Sequence, residues 1–554
     1  MSLINLTRGF FLGAVAFACG ASLAPGGLRA EPVASGSGAA GSGAVVAAAR
    51  TDFSAALHAA LDDPEAGAFY TARGDAPLWT AGDGARAAVL IATLRAGPSH
   101  ALPAARYAPD ALAAALTRSD DAGRGAAEAA LTRAYLAYAR DVSSGVLEPR
   151  SVARDIKVAP PRPRPGVLLR AAAAAPNMVA HLAALAPADP GYAALRERYR
   201  ALSALAAAGD WGATIPPGAT LRPGDAGPRV AALRARLNRL GDLAPDAPAA
   251  DAARFDAALA AAVRRFQARH GLNEDGAVGP ATLAAINTSA RFRAGQLAVN
   301  LERMRWMNRP LGARRIVVNQ PDYTVTLFDG DKVLFRERVV VGQVRFKTPE
   351  FSDEMEYLVL NPTWHLPRSI ATKELLPLLQ EDPSVLARRG MRLVRTDGGP
   401  LPLDPSSHDF SGYTARNFPY SVKQAPSGDN ALGRVKFMFP NGDSIYLHDT
   451  PTKRYFARDV RALSHGCVRV QDPLRLATLL LAPQQADPRG FIDAVLASGR
   501  ERFIYLDRPV PVHLTYRTAW VDEIGALQLR ADIYDRDAAA LAALSAAGVA
   551  APGA

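Results

Sequence analysis

Cysteine, lysine and aromatic residues are scarce in this sequence, and each scarcity narrows the classes of function that the protein can have. Only two of the 554 residues are cysteines and only seven are lysines, so the net charge of +11 comes almost wholly from arginine. A basic chain suits a polyanionic neighbour such as nucleic acid, anionic lipid or cell wall. Aromatic residues make up 7% of the chain and no arginine tract is interleaved with them, which argues against nucleic acid.

The N-terminal residues have the pattern of an export signal. Residues 9–24 are apolar after the positive Arg8, and residues 28–30 form a cleavage site. We therefore predict a signal peptide at 1–30 and a flexible Ala/Gly/Ser linker at 31–45. Because the apolar run is short for a membrane span of about 20 residues, an uncleaved membrane anchor is the alternative.

Removal of this signal would also remove one of the two cysteines, Cys19. Cys467 is then a lone thiol in an exported protein, where cysteines are normally paired. Such a thiol is either a reactive group or an inert residue of the core. The residues next to Cys467 in the sequence distinguish between these two interpretations.

The chain is too long for a single core, and its texture changes along its length. Helical Ala/Leu/Arg patterns come first, and β-branched runs dominate from residue 314 onward. A proline-rich stretch within the β region is too long for an idle loop and is typical of a lid. We predict a multi-domain α+β protein whose parts are a helical scaffold domain (46–206), a three-helix module (222–288), a mostly β catalytic domain (314–508) with a lid insertion (362–422), and a C-terminal β-hairpin (509–536).

Within the β domain, the strongest strand pattern is a predicted hairpin. Residues 323–327 and 333–341 are its strands, and Asp329-Gly330-Asp331 is its turn. Residues 358–360 and 444–447 are further predicted strands.

The predicted three-helix module has helices at 227–240 and 258–270, each with an apolar stripe, and a third that ends near Ile286. Its segment AVRRFQARHGLNEDGAVGPATLAAIN resembles the small peptidoglycan-binding domain found on many wall enzymes, with the Phe-Gln, Asp-Gly and Gly-Pro-x-Thr of that family. The resemblance implies binding to peptidoglycan, although residues 241–256 are longer and richer in proline and alanine than usual. A generic helical spacer is the alternative.

Two short segments carry residues suited to acyl transfer: YLHDTP (446–451) and SHGCVRV (464–470). A cysteine attacks as the thiolate, so its pKa of about 8.5 must be lowered by a base or a positive neighbour. His448 is the candidate base, and His465 and Arg469 add positive charge. Gly466 lets the backbone approach a substrate carbonyl, so that amides can point at its oxygen.

HDTP followed by SHGCVRV, with Cys467 nineteen residues after His448, resembles the signature of L,D-transpeptidases of the YkuD type. NPTWHLPRSIATKELLP, QAPSGDNALGRVKFMFP and YLHDTP are similar to the large periplasmic branch of that family. The resemblance covers most of residues 60–535 and is weakest in the N-terminal third. It implies that Cys467 is the nucleophile and His448 the general base, whose imidazole is oriented by the backbone carbonyl of Asp449.

The same resemblance suggests roles for the other site residues. The amides of Gly466 and Cys467, helped by His465, are the expected oxyanion donors, and Arg469 is expected to meet a diaminopimelate carboxylate or to brace its loop. The remaining candidates for contact with substrate are Tyr446, Asp449, Ser464 and Trp364, with Arg368 and Tyr413 on the underside of the lid.

The implied reaction has two steps and needs neither a metal nor an organic cofactor. The thiolate attacks the carbonyl of meso-diaminopimelate in a tetrapeptide stem and D-Ala leaves; the diaminopimelate amine of a second stem then attacks the thioester, which gives a 3→3 cross-link. The expected partners are these donor and acceptor stems and wall synthases, in the periplasm. Nucleic acid is not expected, and a membrane only if the signal is uncleaved.

Three alternatives stay open on the sequence. In the first, the acyl group passes to another acceptor at the same site: water (an L,D-carboxypeptidase), a free D-amino acid or a lipoprotein lysine. A metallopeptidase would use His448, Asp449, His465 and Cys467, although their spacing is unusual for zinc and no HExxH motif occurs. A non-catalytic wall-binding scaffold would need no intact cysteine. A carbapenem is expected to acylate an accessible, activated Cys467.

Overall fold

The computed structural model describes residues 51–244, 251–396, 399, 401 and 404–550. The signal peptide and linker predicted at 1–45 lie outside these residues. Helices dominate the first half of the described chain and strands the second, so the predicted multi-domain α+β class is confirmed. Within the described ranges, no helix is both long and apolar enough to cross a membrane.

The first part of the described chain is a helical domain. Its helices are α1 (Asp52–Ala60), α2 (Pro64–Ala72), α3 (Ala85–Arg95), α4 (Ala104–Tyr107), α5 (Pro109–Ala115), α6 (Asp121–Ser144), α7 (Pro149–Val152), α8 (Pro165–Ala174), α9 (Met178–Ala183) and α10 (Pro190–Ala207). Helix α6 begins after Asp120, whose carboxylate accepts the Gly123 N–H at 2.9 Å. Leucine, alanine and tyrosine side chains of the neighbouring helices pack around α6 as one core. Between α7 and α8, residues 153–158 of this domain reach the β region.

The second helical unit consists of α11 (Pro228–Arg239), α12 (Ala257–Arg269) and α13 (Pro280–Asn287), close to the predicted bounds. Val230, Leu233 and Phe266 lie fully in its core. The amide of Gln267 bonds to Asp275 Oδ1 at 2.8 Å and accepts the Gly276 N–H at 2.9 Å. The Phe-Gln and Asp-Gly pairs therefore hold the module together from inside.

A long buried helix that the sequence pattern did not predict connects this module to the β region. It is α14 (Ala290–Trp306), and it packs against α10 and against the last helix, α20 (Arg536–Ala546). Its buried charges are paired: Arg305 with Glu302 at 2.9 Å, and Arg303 with Asp537 at 2.5 Å. These pairs allow a helix with charge on every face to be buried.

The β region is built on one sheet that closes on itself. Its strands are β1 (Arg314–Asn319), β2 (Thr324–Asp329), β3 (Lys332–Gly342), β4 (Phe351–Leu360), β8 (Val435–Met438), β9 (Leu447–His448), β10 (Ala462–Ser464), β11 (Val468–Val470) and β12 (Arg502–Thr515), numbered in one series with the lid strands β5–β7 below. The order is β10-β3-β11-β9-β8-β4-β12-β1-β2, and β2 also pairs with β3. The predicted hairpin is thus β2–β3, with Gly330 at a φ of 58° in its turn.

One face of this sheet covers the hydrophobic core. Leu358, Phe437, Leu447, Val468 and Ile504 point into the core from five neighbouring strands. Helices α18 (Pro473–Leu481) and α19 (Pro488–Ala497) add leucine, isoleucine and valine side chains to it. Because side chains alternate along a strand, the residues between these core positions lie on the opposite face, which we name the catalytic face.

The insertion at 362–422 has its own small fold. Strands β5 (Trp364–Leu366), β6 (Met391–Arg395) and β7 (Tyr420–Gln424) form a sheet in the order β5-β7-β6. Helices α15 (Arg368–Ile370), α16 (Leu376–Glu381) and α17 (Val385–Arg388) cover it, and a π-helical turn at Ala371–Leu375 joins the first two. An apolar cluster of its own holds this lid together.

Two local predictions were wrong. The residues predicted as a closing hairpin are divided: β12 belongs to the main sheet, where it pairs with β1 and β4, and only β13 (Ala519–Val521) and β14 (Leu527–Leu529) form a small hairpin. The strand predicted at 444–447 begins only at Leu447, because Ser444 has a φ of 55° and lies in a turn.

Candidate active site

His448 lies at the end of the short strand β9, on the catalytic face. Its Nδ1 is 2.5 Å from the carbonyl oxygen of Asp449. A carbonyl only accepts hydrogen bonds, so Nδ1 carries a proton. Burial, together with the nearby Arg469 guanidinium, lowers the pKa of His448 to about 3. The imidazole is therefore neutral near pH 7 and able to accept a proton.

Cys467 immediately precedes strand β11, which runs parallel to β9. The Val468 N–H donates to the Tyr446 carbonyl at 3.1 Å, and Arg469 is the register partner of His448. The half-buried thiol points its Sγ at the Ser444 carbonyl oxygen, 3.6 Å away. Burial raises the pKa of the Cys467 thiol, against the opposing effects of hydrogen bonds from Tyr446 and of the charges on Lys436 and Arg469. The resting pair is thus a thiol and a neutral imidazole.

Lys436 and Tyr446 form the wall of the site next to the thiol. Lys436 is the register partner of His448 on β8, and its Nζ lies 3.9 Å from the centre of the Tyr446 ring. Burial lowers the pKa of Lys436, whereas the Cys467 thiolate would raise it. A thiolate formed here is therefore stabilised by an ammonium group and by the Tyr446 hydroxyl.

Arg469 brings a second positive charge to the catalytic face. Its guanidinium carbon is 5.9 Å from the centre of the Tyr455 ring, and it makes no ion pair with a carboxylate in the described part of the chain. Its Nε is buried without a hydrogen-bond partner there. A half-buried guanidinium without a counter-ion favours an anionic ligand.

The nucleophile loop, residues 464–467, is braced by its own hydroxyl. The buried Ser464 Oγ donates to the Cys467 carbonyl at 2.6 Å and accepts the Gly466 N–H at 3.1 Å. Ser464 therefore holds the loop rather than the substrate, and the Gly466 amide is occupied. Of the two expected oxyanion amides, only the Cys467 N–H donates to no acceptor among the described residues. Gly466 is needed for its conformation, since its φ is 113°.

The rear of the nucleophile loop rests on a buried network. Thr348 Oγ1 donates to the Gly466 carbonyl at 2.7 Å and accepts the Gly342 N–H at 2.9 Å. The Thr348 carbonyl accepts from Arg536 at 2.8 Å. Arg536 is fully buried, and its guanidinium also bonds to Glu350 at 3.1 Å and to Asp155 of the helical domain.

The helical domain reaches the site by a second route as well. Lys157 forms an ion pair with Asp443, and the Lys157 N–H donates to the Glu350 carbonyl at 2.7 Å. Asp443 directly precedes Ser444, whose carbonyl faces the Cys467 thiol. Residues 155–157 therefore contact the supports of the nucleophile on two sides.

The lid contacts the front of the nucleophile loop. His465 Nε2 lies 2.7 Å from the Glu374 carboxylate in the π-helical turn of the lid. The His465 ring also packs on Phe346, with 4.8 Å between ring centres. Both side chains are partly exposed, at 31% and 41%, so the contact can open without burying an unpaired charge.

Several predicted substrate contacts have structural partners of their own. The buried Asp449 carboxylate accepts from the N–H groups of Arg434 and Thr450 and from Lys453, so it is a structural hub. Trp364 and Tyr413 pack against the lid's own core. Arg368 donates to backbone carbonyls of the lid, at 2.7 Å for Phe418. These contacts stabilise the lid and the strand ends.

Lys436 is a site residue that lies outside the two motifs, although the sequence pattern indicates its position. It is one of only seven lysines, and it interrupts the apolar strand Val435-Lys436-Phe437 at a position that alternation assigns to the face opposite the core. Glu374, Thr348 and Arg536 carried no local signal, because their partners are distant in sequence.

No three His, Cys, Asp or Glu side chains converge as a metal site within the ranges that the structure describes. The reactive groups present are a thiol, an imidazole, an ammonium and a guanidinium. This set fits covalent acyl transfer to a cysteine, with the imidazole as base.

Comparison with known proteins matches three family models to the chain. Residues 313–500 match the YkuD model, described as the L,D-transpeptidase catalytic domain. Residues 64–198 match a scaffold domain, and residues 226–286 match the model described as "Putative peptidoglycan binding domain". The matched ranges agree with the helical domain, the three-helix module and the closed sheet.

Individual relatives are similar over part of the chain. A protein of Haemophilus influenzae named "Putative L,D-transpeptidase" is 37% identical over 243 residues, which is 44% of this chain and 48% of that protein. The chain thus matches about half the length of this curated relative. An L,D-transpeptidase structure from Xylanimonas cellulosilytica is 15% identical over 54% of this chain and 99% of that chain, with a TM-score of 0.16. One from Stackebrandtia nassauensis is 15% identical over 55% and 97%, with a TM-score of 0.20.

These two structural likenesses are too low in TM-score to support a conclusion of their own, whereas the family models confirm the resemblance read from HDTP and SHGCVRV. The chain carries a YkuD-type L,D-transpeptidase catalytic domain, together with a scaffold domain and a peptidoglycan-binding domain.

Proposed function

We propose that this protein forms 3→3 cross-links between peptidoglycan stems through a thioester on Cys467. The observation that carries the proposal is the buried, neutral His448, held through Nδ1 by the Asp449 carbonyl, on the strand beside Cys467. It is supported by the family of the catalytic domain and by the peptidoglycan-binding domain on the same chain. Since its substrate is the wall, the protein is proposed to work outside the cytoplasm, in the periplasm.

In the first step, His448 Nε2 takes the thiol proton as Sγ attacks the carbonyl carbon of diaminopimelate at position three of a tetrapeptide stem. In this proposal the Cys467 N–H donates to the developing oxyanion, and Lys436 and Tyr446 stabilise negative charge at the sulfur. Collapse of the tetrahedral intermediate breaks the peptide bond, and the proton held by His448 passes to the amine of the departing D-Ala.

In the second step, the side-chain amine of another diaminopimelate attacks the thioester carbonyl. His448 accepts the amine proton, the C–S bond breaks, and the thiol is restored. Arg469, which has no carboxylate partner in the described chain, is proposed to bind a carboxylate of a stem. The lid, held to the nucleophile loop through Glu374 and His465, is proposed to keep water from the thioester. The amine then attacks the thioester in preference to water.

The test is product analysis by mass spectrometry after incubation of the purified protein with disaccharide-tetrapeptide. We expect release of D-Ala and a 3→3 dimer, and His448→Ala should slow both by about 10³-fold or more. Arg489→Ala, at an exposed surface pair, is the matched control. Tripeptide alone would replace the proposal with a carboxypeptidase, and a wild-type rate in His448→Ala would remove His448 as the base.

A further inference from the structure

Three aromatic side chains form an exposed patch on the catalytic face. Phe503 and Tyr505 of β12 are 53% and 65% exposed, and the half-buried Tyr357 of β4 lies between them. The centre of the Tyr357 ring is 5.1 Å from that of Tyr505 and 5.9 Å from that of Phe503. Exposed aromatic rings that touch one another are typical of a binding surface rather than of solvated strand.

The register of the sheet connects this patch to the catalytic base. His448 pairs with Lys436, Lys436 with Val359, and Val359 with Phe503. Directly paired residues share a face of the sheet, so a single row across β9, β8, β4 and β12 joins His448 to Phe503. Three strand spacings of about 4.8 Å place the patch about 14 Å from the base.

This distance suits the covalent structure of the proposed substrate. The attacked carbonyl belongs to the third residue of a stem whose first residue is attached to a sugar. Three extended residues reach about 10 Å, so a stem bound at Cys467 brings its glycan to within reach of the patch. A pyranose ring offers one face of C–H groups, which an aromatic ring can cover, and an edge of hydroxyl groups.

Polar groups border the rings, as such a ligand requires. Strand β12 bulges between Tyr505 and Val510, and the bulge leaves the side chains of Asp507 and Arg508 exposed beside the patch. The Asp507 N–H is bonded to Gln484 at 3.1 Å, which fixes the bulge. Hydroxyl groups of a sugar stacked on the rings would meet these side chains.

We propose that Tyr357, Phe503 and Tyr505 form a stacking platform for the N-acetylated sugar rings of the glycan strand that carries the donor stem. The inference rests on the proposed function, because it assigns the patch to the glycan of the same substrate. Binding of the sugars would hold the donor stem over Cys467 and would act on KM more than on kcat.

The experiment compares the double variant Phe503→Ala/Tyr505→Ala with the wild type on two donors: disaccharide-tetrapeptide and the same tetrapeptide without sugars. Phe292→Ala, which removes another ring that is 61% exposed but lies on α14, is the control. The variant Phe503→Tyr/Tyr505→Phe keeps both rings. We expect the double alanine variant to lose about tenfold in kcat/KM on the glycosylated donor, mainly through KM, and to match the wild type on the bare peptide. The control and the ring-preserving variant should behave as the wild type.

A second measurement is independent of turnover: calorimetric binding of a peptide-free glycan tetrasaccharide to the same variants. We expect weaker binding only in the double alanine variant, since any contribution of the peptidoglycan-binding domain is common to all of them. Equal binding by the wild type and the double alanine variant would overturn the platform, as would equal losses on both donors. A wild-type dimer that this variant abolishes would assign the patch to a second copy of the chain instead. Failure of the wild type to turn over either donor would refute the proposed function, and the binding data would still decide the platform.

Discussion

The two sides of the nucleophile loop are held in opposite ways. Behind it, Gly466 is bonded to Thr348, Thr348 to Arg536, and Arg536 to the buried Glu350 and the partly exposed Asp155. In front of it, one partly exposed contact joins His465 to Glu374 of the lid. Removing one partner from a buried charged network costs about 3–5 kcal/mol, whereas an exposed ion pair contributes about 0–1 kcal/mol. The rear is therefore a permanent support, and the front is a contact that substrate can open and close.

The largest effect is expected from breaking the rear support at Arg536. Arg536→Met leaves Glu350 and Asp155 without their cation, so the free energy of unfolding should fall by about 3–5 kcal/mol. The measurement is guanidinium denaturation followed by tryptophan fluorescence. Arg489→Met, which removes an exposed surface pair, is the control and should change little. Equal midpoints for the two variants would mean that the buried network is not a support.

A smaller effect at the same place is expected from Thr348→Val. The change leaves the buried Gly342 N–H and Gly466 carbonyl without their shared hydroxyl, a cost of about 1–3 kcal/mol. Since Gly466 adjoins the nucleophile, acylation by a carbapenem should slow about tenfold. Thr348→Ser keeps the hydroxyl and should restore the rate. A wild-type rate in Thr348→Val would show that the loop holds its shape without Thr348.

His448 adds a dependence on pH, because its imidazole is buried in the folded protein. The pKa of His448 is about 3 in the folded protein and about 6.5 when unfolded. The unfolded state therefore binds more protons between these values, and stability falls as the pH drops below 6.5. At pH 5, this effect of His448 alone lowers the free energy of unfolding by about 2 kcal/mol. Thermal unfolding from pH 7.5 to 5 should show a flatter dependence in His448→Gln than in the wild type. The same slope in His448→Gln and in the wild type would contradict the burial of His448.

The smallest effect is expected at the front contact. Glu374→Gln removes the charge that faces His465 and should leave the free energy of unfolding within about 1 kcal/mol of the wild type. Because the lid then closes less often, hydrolysed tripeptide should increase relative to the cross-linked dimer, by less than about fivefold. Glu381→Gln, at another exposed lid carboxylate, is the control. An unchanged product ratio would separate the lid contact from water exclusion.

The two sides of the nucleophile loop also differ in how well the sequence predicted them. Two short segments contain the nucleophile, its base and the carbonyl that orients the base. A local sequence pattern was therefore enough to predict them. The rear support was not predictable in this way, because Arg536 and its partner Asp155 are 381 residues apart and no spacing connects them. The same holds for α14, whose buried charges are explained only by partners elsewhere in the fold.

Local conformation explains the errors of detail. Ser444 looked like the first residue of a strand, but Asn441 accepts the N–H groups of Asp443 and Ile445 at 3.1 Å each and bends the chain into a turn. Ser464 and Gly466 looked like groups that face the substrate, yet they bond to each other. A polar residue in a catalytic motif has two possible uses, and only the hydrogen-bond partners distinguish support from chemistry.

The most direct test of the central claim, a thioester on Cys467, is intact-protein mass spectrometry after mixing the protein with disaccharide-tetrapeptide or with a carbapenem, beside Cys467→Ala. We expect that the wild type gains the mass of the donor less D-Ala, or of the whole carbapenem, and that Cys467→Ala gains neither. A wild type that gains no mass from either compound, or a Cys467→Ala variant that is still acylated, would contradict it.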